Sequence, residues 1–152
     1  MSCIVKTACG YHIMIASCLK GAHDMTKTER TIYALVGPTR YNTLPFSTAI
    51  DLAMDLLFVQ HRAMDDIRVT NDIYVPVARE VKKSVSAASR QIVRLCNLCW
   101  DTMRAEGVVE EYIGKPIADL HAPSEIVFYM AFLIHFDKPF FEVVQDKPEL
   151  LF

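Results

Sequence analysis

The chain is poor in the residues that interrupt regular structure. It has only five glycines and seven prolines in 152 residues, and 52% of its residues are hydrophobic. This composition excludes low-complexity disorder and provides enough apolar side chain for one compact core. The alternation of apolar and polar residues that is typical of strands is scarce, so we expect an all-α fold. No run approaches the roughly 18 consecutive apolar residues that a membrane-spanning helix needs, so no membrane association is expected.

Neither the spacing of the cysteines nor the net charge matches a characteristic pattern. The five cysteines are an odd number without framework spacing, which favours a reduced, cytoplasmic protein over a secreted disulfide scaffold. The formal net charge of −2 does not by itself indicate a nucleic-acid binder, but a whole-chain sum can hide a local basic patch. The cysteines are Cys3, Cys9, Cys18, Cys96 and Cys99.

The usual signatures of enzymes and metal sites are missing. The five histidines show neither catalytic nor metal-ligand spacing, and no phosphate-cradling glycine loop or nucleophile elbow is found. Cys96 and Cys99 have the Cys-x-x-Cys spacing of metal and redox sites, but no second pair accompanies them. Within one helix they are expected to pack in the core. The sequence therefore predicts no enzyme, no metal and no cofactor.

Local signals divide the chain into about six helices. Thr26 to Glu29 has capping-box spacing, and Gly37-Pro38 ends the helix that follows. A second helix is expected from Pro45, and a late apolar helix over 126–136. We predict three parts: an N-terminal extension of uncertain order (1–24, with a secretory signal as the lesser alternative), a helical domain (25–138) and an apolar tail (139–152).

The centre of the chain predicts a helix-turn-helix. Pro76 is tolerated only near a helix start, which favours a short helix over about 76–82. Lys82-Lys83-Ser84 makes a turn in which Ser84 is a plausible N-cap. The stretch after it contains neither glycine nor proline and predicts a long helix over 85–104. A short helix, a tight turn and a longer helix form the plan of a DNA-reading unit.

A basic patch coincides with these two helices. Between Arg79 and Arg104 there are six cations against two anions, a local charge of +4 in a chain of net −2. Such a patch neutralises DNA phosphates, and a helix N-terminus adds positive potential. A solvated, charged surface helix is the alternative interpretation. The cations are Arg79, Lys82, Lys83, Arg90, Arg94 and Arg104.

The same stretch resembles one family. From Tyr74 to Trp100 the sequence is similar, without a gap, to the helix-turn-helix in the C-terminal effector domain of stage zero sporulation protein A. That protein is the response regulator that commits endospore-forming Firmicutes to sporulation. The similarity extends over about 26–137 through shorter matches in the same order: Val36-Gly37-Pro38, Ala49-Ile50, Gly114-Lys115-Pro116 and Ser124-Glu125.

The resemblance implies a six-helix domain that binds double-stranded DNA, often as tandem copies. Ser86 and Arg90 match the family, and a family histidine is replaced by Arg94. Two family arginines are replaced by Ala87 and Val93, and a family glutamate by Ser89. Each lost contact removes about 1–3 kcal/mol of base discrimination, so a different DNA sequence is expected to be recognised. We expect the domain to act without an attached receiver domain, so that control by phosphorylation of a fused receiver does not apply.

Two functions remain open from the sequence. The first is a sequence-specific transcription regulator whose second helix lies in the major groove. The alternative is an interaction module of the same fold that pairs with itself or a related regulator and has lost DNA affinity, using the apolar tail as its contact surface. For the first, we predict base contacts by Ser86, Ser89, Arg90 and Arg94, and phosphate contacts by Arg79, Lys82, Lys83 and Ser84.

Overall fold

The computed structural model describes residues 2–7, 10–15 and 24–152. Within 24–152 all regular elements are helical, which confirms the all-α fold class for this body. The N-terminal extension, however, contains a two-stranded hairpin that was not predicted. Strand β1 (Ser2–Thr7) pairs antiparallel with β2 (Gly10–Ile15). Both strands are rich in β-branched residues, a composition that favours pairing even where alternation is imperfect.

Seven α-helices make up the body. They are α1 (Lys27–Val36), α2 (Leu44–Met54), α3 (Val75–Val81), α4 (Val85–Glu106), α5 (Val109–Ile113), α6 (Glu125–Phe136) and α7 (Phe140–Asp146). A π-helical turn over Asp55–Val59 extends α2, and a 3₁₀ turn lies at Met64–Asp66. No helix in the described ranges is long and apolar enough to cross a membrane.

The predicted capping box of α1 is present. The Thr26 hydroxyl accepts the Glu29 backbone N–H, and a Glu29 carboxylate oxygen accepts the Thr26 N–H, both at 3.1 Å. At the other end the Gly37 N–H donates to the Tyr33 carbonyl, and Gly37 has the positive φ of 68° that favours glycine. Helix α1 therefore begins and ends where the sequence predicts.

The core forms around α2, α4 and α6. Helix α6 is buried along nearly its whole length, which matches its almost uniformly apolar sequence. Phe46 and Ile50 of α2 and Phe132 of α6 are fully buried where these helices meet. This packing leaves α4 in contact with helices on one side only, so its other side faces solvent.

The short helix before the turn begins at Val75, within one residue of the predicted start, and Pro76 lies in its first turn. A π-helical run over Val69–Tyr74, which was not predicted, leads directly into α3. In the π turn the Val75 N–H donates to the carbonyl of Thr70, five residues back. This wider turn relaxes the i−4 spacing that makes an internal proline clash, so Pro76 is accommodated although helical backbone precedes it.

The predicted apolar tail is part of the same core. Phe140 and Val143 of α7 are buried, and the Phe140 ring lies against those of Tyr129 and Phe132. Leu150 and Leu151 pack on the core as well, and of the large apolar side chains in 139–152 only that of Phe152 is highly exposed. Most of the contact surface that the interaction-module alternative requires is therefore used within the chain.

The entry to α3 supplies a pH-dependent prediction. The Asp72 carboxylate accepts the Arg68 backbone N–H at 2.7 Å and Arg62 Nη2 at 3.0 Å. The bond from Arg68 and then that from Arg62 lower the pKa of Asp72 below 3.8. Because the folded pKa is depressed, this stabilisation is present above the unfolded value and is lost as the pH falls through the folded pKa.

We therefore expect Asp72→Asn to lower the free energy of unfolding at pH 7 by about 1 kcal/mol. The deficit relative to the unsubstituted chain should shrink as the pH falls below 3.8. Thermal unfolding of both proteins across a pH series measures it. A deficit of equal size at pH 7 and pH 3 would contradict this account of Asp72.

Candidate nucleic-acid interface

The turn between α3 and α4 is fixed by local interactions. Lys82 ends α3 in the left-handed conformation (φ 58°, ψ 48°), and the N–H groups of Lys82 and Lys83 both donate to the Ala78 carbonyl. Ser84 is the N-cap of α4, and its hydroxyl accepts the Ala87 N–H at 3.1 Å, as predicted. Helices α3 and α4 are thus joined by a tight turn and pack against each other.

Helix α4 has one buried and one exposed side. It begins at Val85, as predicted, and ends at Glu106, two residues beyond the predicted 104; the C-cap, Gly107, takes the left-handed conformation. The residues that face the core recur at helical spacing and are fully or almost fully buried: Ala88, Ile92, Leu95, Cys96, Cys99, Trp100 and Met103.

The opposite side carries the predicted arginines. Ser86, Arg90, Arg94 and Asn97 are exposed and follow one another at intervals of four, four and three residues, which places them on one face. We call these four residues the outer strip. Beside it lies a shallow depression of ≈ 420 Å³, which Arg90, Arg94 and Asn97 line together with Ser89, Val93 and Tyr74. Two guanidinium groups therefore border one open concavity.

The remaining predicted contacts lie in the last turn of α3 and in the turn that precedes α4. Arg79, Lys82, Lys83 and Ser84 are all exposed. Lys83 Nζ donates to Gln91 Oε1 at 3.2 Å, so its ammonium is directed along α4. The structure therefore brings the predicted phosphate-contacting cations to the same end of α4 as Ser86 and Arg90.

Two of the predicted serines already have local partners. The Ser84 hydroxyl is the cap, and the half-buried Ser89 donates its hydroxyl to the Ser86 carbonyl at 3.1 Å. The Ser89 hydroxyl can still accept a hydrogen bond, but its one donor hydrogen is used in this bond. Ser86 is the exposed serine of the outer strip for which no such bond is formed within the described part of the chain.

The cations of this region are not neutralised by neighbouring carboxylates. Within residues 24–152 the ion pairs join Lys27 to Asp137, Arg62 to Asp72 and His121 to Glu125. None of them uses Arg79, Lys82, Lys83, Arg90 or Arg94. A solvated surface helix commonly carries paired charges of both signs, whereas here the positive charges face solvent without such partners.

Tyr41 is a neighbour of the outer strip that the sequence did not reveal. The Arg94 guanidinium carbon lies over the Tyr41 ring, 5.3 Å from its centroid, and 41% of Tyr41 is exposed. Tyr41 belongs to the loop between α1 and α2, more than fifty residues away in the chain. No local pattern predicts this contact because it depends on how α1 and α2 pack against α4.

The buried thiols behave as core groups. Cys96 and Cys99 are free and fully buried, as predicted. Burial raises the pKa of Cys99 to about 12 and that of Cys96 well above its ordinary value, so neither is a thiolate at neutral pH. In the part of the chain that the structure describes, no group of three or more His, Cys, Asp or Glu side chains is arranged to hold a metal ion.

Comparison with protein-family models, with curated proteins and with solved structures gives no match for this chain.

The turn yields a pair of stability predictions with opposite signs. Lys82→Gly removes a side chain from left-handed backbone, where glycine is unstrained, so we expect an increase in the free energy of unfolding of up to about 1 kcal/mol. Ser84→Ala removes the N-cap and should lower it by about 1 kcal/mol. Chemical denaturation measures both. Destabilisation by both variants would show that the turn is not held in this conformation.

Proposed function

We propose that this protein is a DNA-binding transcription regulator that inserts the N-terminal half of α4 into the major groove of double-stranded DNA. The observation that supports this most strongly is the exposure of Arg90 and Arg94 on a long helix that begins at a tight turn. The two arginines are one helical turn apart and have no carboxylate partner within residues 24–152. Guanidinium groups bind guanine edges and phosphates with bidentate geometry. The role is non-catalytic and needs no cofactor.

Charge distribution supports the same proposal. Residues 79–104, from the last turn of α3 to near the end of α4, carry a local +4 in a chain of net −2. Lys82 and Lys83 lie in the turn before α4, where the unsatisfied N–H groups of that helix add positive potential, and Arg79 lies in the last turn of α3. These cations are our candidates for phosphate contacts, while Ser86 and Arg90 are our candidates for base contacts.

The family resemblance adds the biological setting of the proposal. A relative of the sporulation effector domain would act in the cytoplasm of an endospore-forming Firmicute, on promoters, as one copy or as paired copies. Ala87 and Val93 stand where that family has arginines, and both are half-buried beside the outer strip. We therefore infer a target sequence different from the family's, with fewer bases read by direct hydrogen bonds.

The interaction-module alternative makes a different prediction for the purified chain. It requires pairing with a second copy or a related regulator without affinity for DNA. The burial of Phe140 and Val143 against α6 removes much of the surface proposed for that pairing. The DNA-binding proposal is therefore the one that we develop.

The test is selection of bound duplexes from a random pool, followed by affinity measurements at several salt concentrations. We expect an affinity that falls linearly in a log–log plot against salt, with a slope that is smaller by about one for Lys82→Gly. Arg90→Ala should cost about 1–3 kcal/mol and relax selection at a single base position.

Lys138→Ala is a matched control, because it removes an exposed lysine that lies outside the helix pair. It should leave the affinity nearly unchanged. Failure of the unsubstituted chain to bind any duplex at low salt, together with its elution in complex with a second copy or a related regulator, would refute DNA binding and favour the interaction module.

A further inference from the structure

The contact between Arg94 and Tyr41 assigns different tasks to the two arginines of the outer strip. Both arginines line the depression on α4, but within residues 24–152 Arg90 makes no cation–π contact, whereas the Arg94 guanidinium lies over a ring supplied by the loop between α1 and α2. An exposed cation on an aromatic face is held by about 0.5–1 kcal/mol, which is enough to favour one side-chain orientation. Arg94 is thus oriented by its neighbour before any ligand arrives.

The loop itself is organised by its own side chains. The Tyr41 N–H donates to Thr39 Oγ1 at 3.2 Å, and the Leu44 N–H donates to Asn42 Oδ1 at 3.1 Å. Turns that are closed by such side-chain bonds have few alternative conformations. Tyr41 is therefore presented from a defined position.

The dimensions of DNA determine what Arg94 can reach. An α-helix with its side chains is about 10–12 Å across, and the major groove is about 12 Å wide. A helix in the groove therefore leaves no room for a second chain segment beside it. Because Tyr41 and its loop lie directly against Arg94, that end of the outer strip must remain at the edge of the groove, where the phosphates are.

We infer that Tyr41 is a positioning residue of the DNA-binding face: its ring holds Arg94 at the edge of the groove, where the guanidinium binds a backbone phosphate rather than a base. This inference rests on the proposed DNA-binding function and changes the role expected for Arg94 from the sequence. Base reading then falls to Ser86 and Arg90, which lie nearer the start of α4, as is usual for recognition helices.

The test is a double-mutant cycle on a duplex that the unsubstituted chain selects. Arg94→Ala should weaken binding about tenfold on selected and unrelated duplexes alike and lower the salt slope by about one. Tyr41→Leu should weaken binding about two- to fivefold, and Tyr41→Phe, which keeps the ring, should not. In the Arg94→Ala background Tyr41→Leu should have no further effect, because the two residues act together.

Lys115→Ala is the control for charge alone. Lys115 is exposed and its ammonium also lies over an aromatic ring, 4.0 Å from the centroid of Phe141, but outside the helix pair. It should leave the affinity nearly unchanged. Thermal unfolding of each variant, expected at the same temperature as the unsubstituted chain, separates binding effects from loss of fold.

Two kinds of result overturn the inference and can be told apart. If the unsubstituted chain binds no duplex, the DNA-binding proposal fails and the inference with it. If that chain binds, three outcomes overturn the inference alone: loss of discrimination at one base in Arg94→Ala, an undiminished Tyr41→Leu effect in the Arg94→Ala background, or equal weakening by Tyr41→Phe and Tyr41→Leu.

Discussion

The structure depends on the burial of one side of α4. Ala88, Ile92 and Leu95 of that helix are completely buried, and the same helix contacts α1, α2, α3 and α6. A helix that is held by so many neighbours along one side cannot rotate without exposing apolar surface. The orientation of the outer strip is therefore a consequence of core packing. The arginines point outward because the opposite side of α4 is buried in the core.

Rigidity at the start of α4 follows from the turn as well as from the core. Lys82 accepts a left-handed conformation that suits glycine better, and Ser84 uses its hydroxyl to cap the helix. The strained lysine keeps a positive charge at the helix N-terminus that a glycine would not supply. The turn is therefore less stable than it would be with glycine at position 82, but it carries a positive charge that a surface binding a polyanion would require.

Features that depend on residues within one helical turn of each other could be predicted from the sequence, whereas contacts between distant segments could not. The capping box at Thr26, the cap at Ser84 and the apolar face of α4 were all predicted, since each depends on neighbours three or four residues away. The π-helical run before Pro76 was missed because its spacing departs from the usual helical period. The Tyr41–Arg94 contact was missed because tertiary packing alone creates it.

The side chains in and beside the outer strip determine how a DNA-binding face of this kind would select among DNA sequences. Charged side chains that bind phosphates add affinity for every sequence, and only side chains that reach base edges add discrimination. With Ala87 and Val93 flanking the strip and Ser89 bonded to its own helix, few side chains are left that could read bases, beside several cations that we propose to bind phosphates. A single copy would then bind with a large salt-dependent and a small sequence-dependent free energy. Selectivity would come from two copies on adjacent sites, because their sequence-dependent contributions add along the DNA.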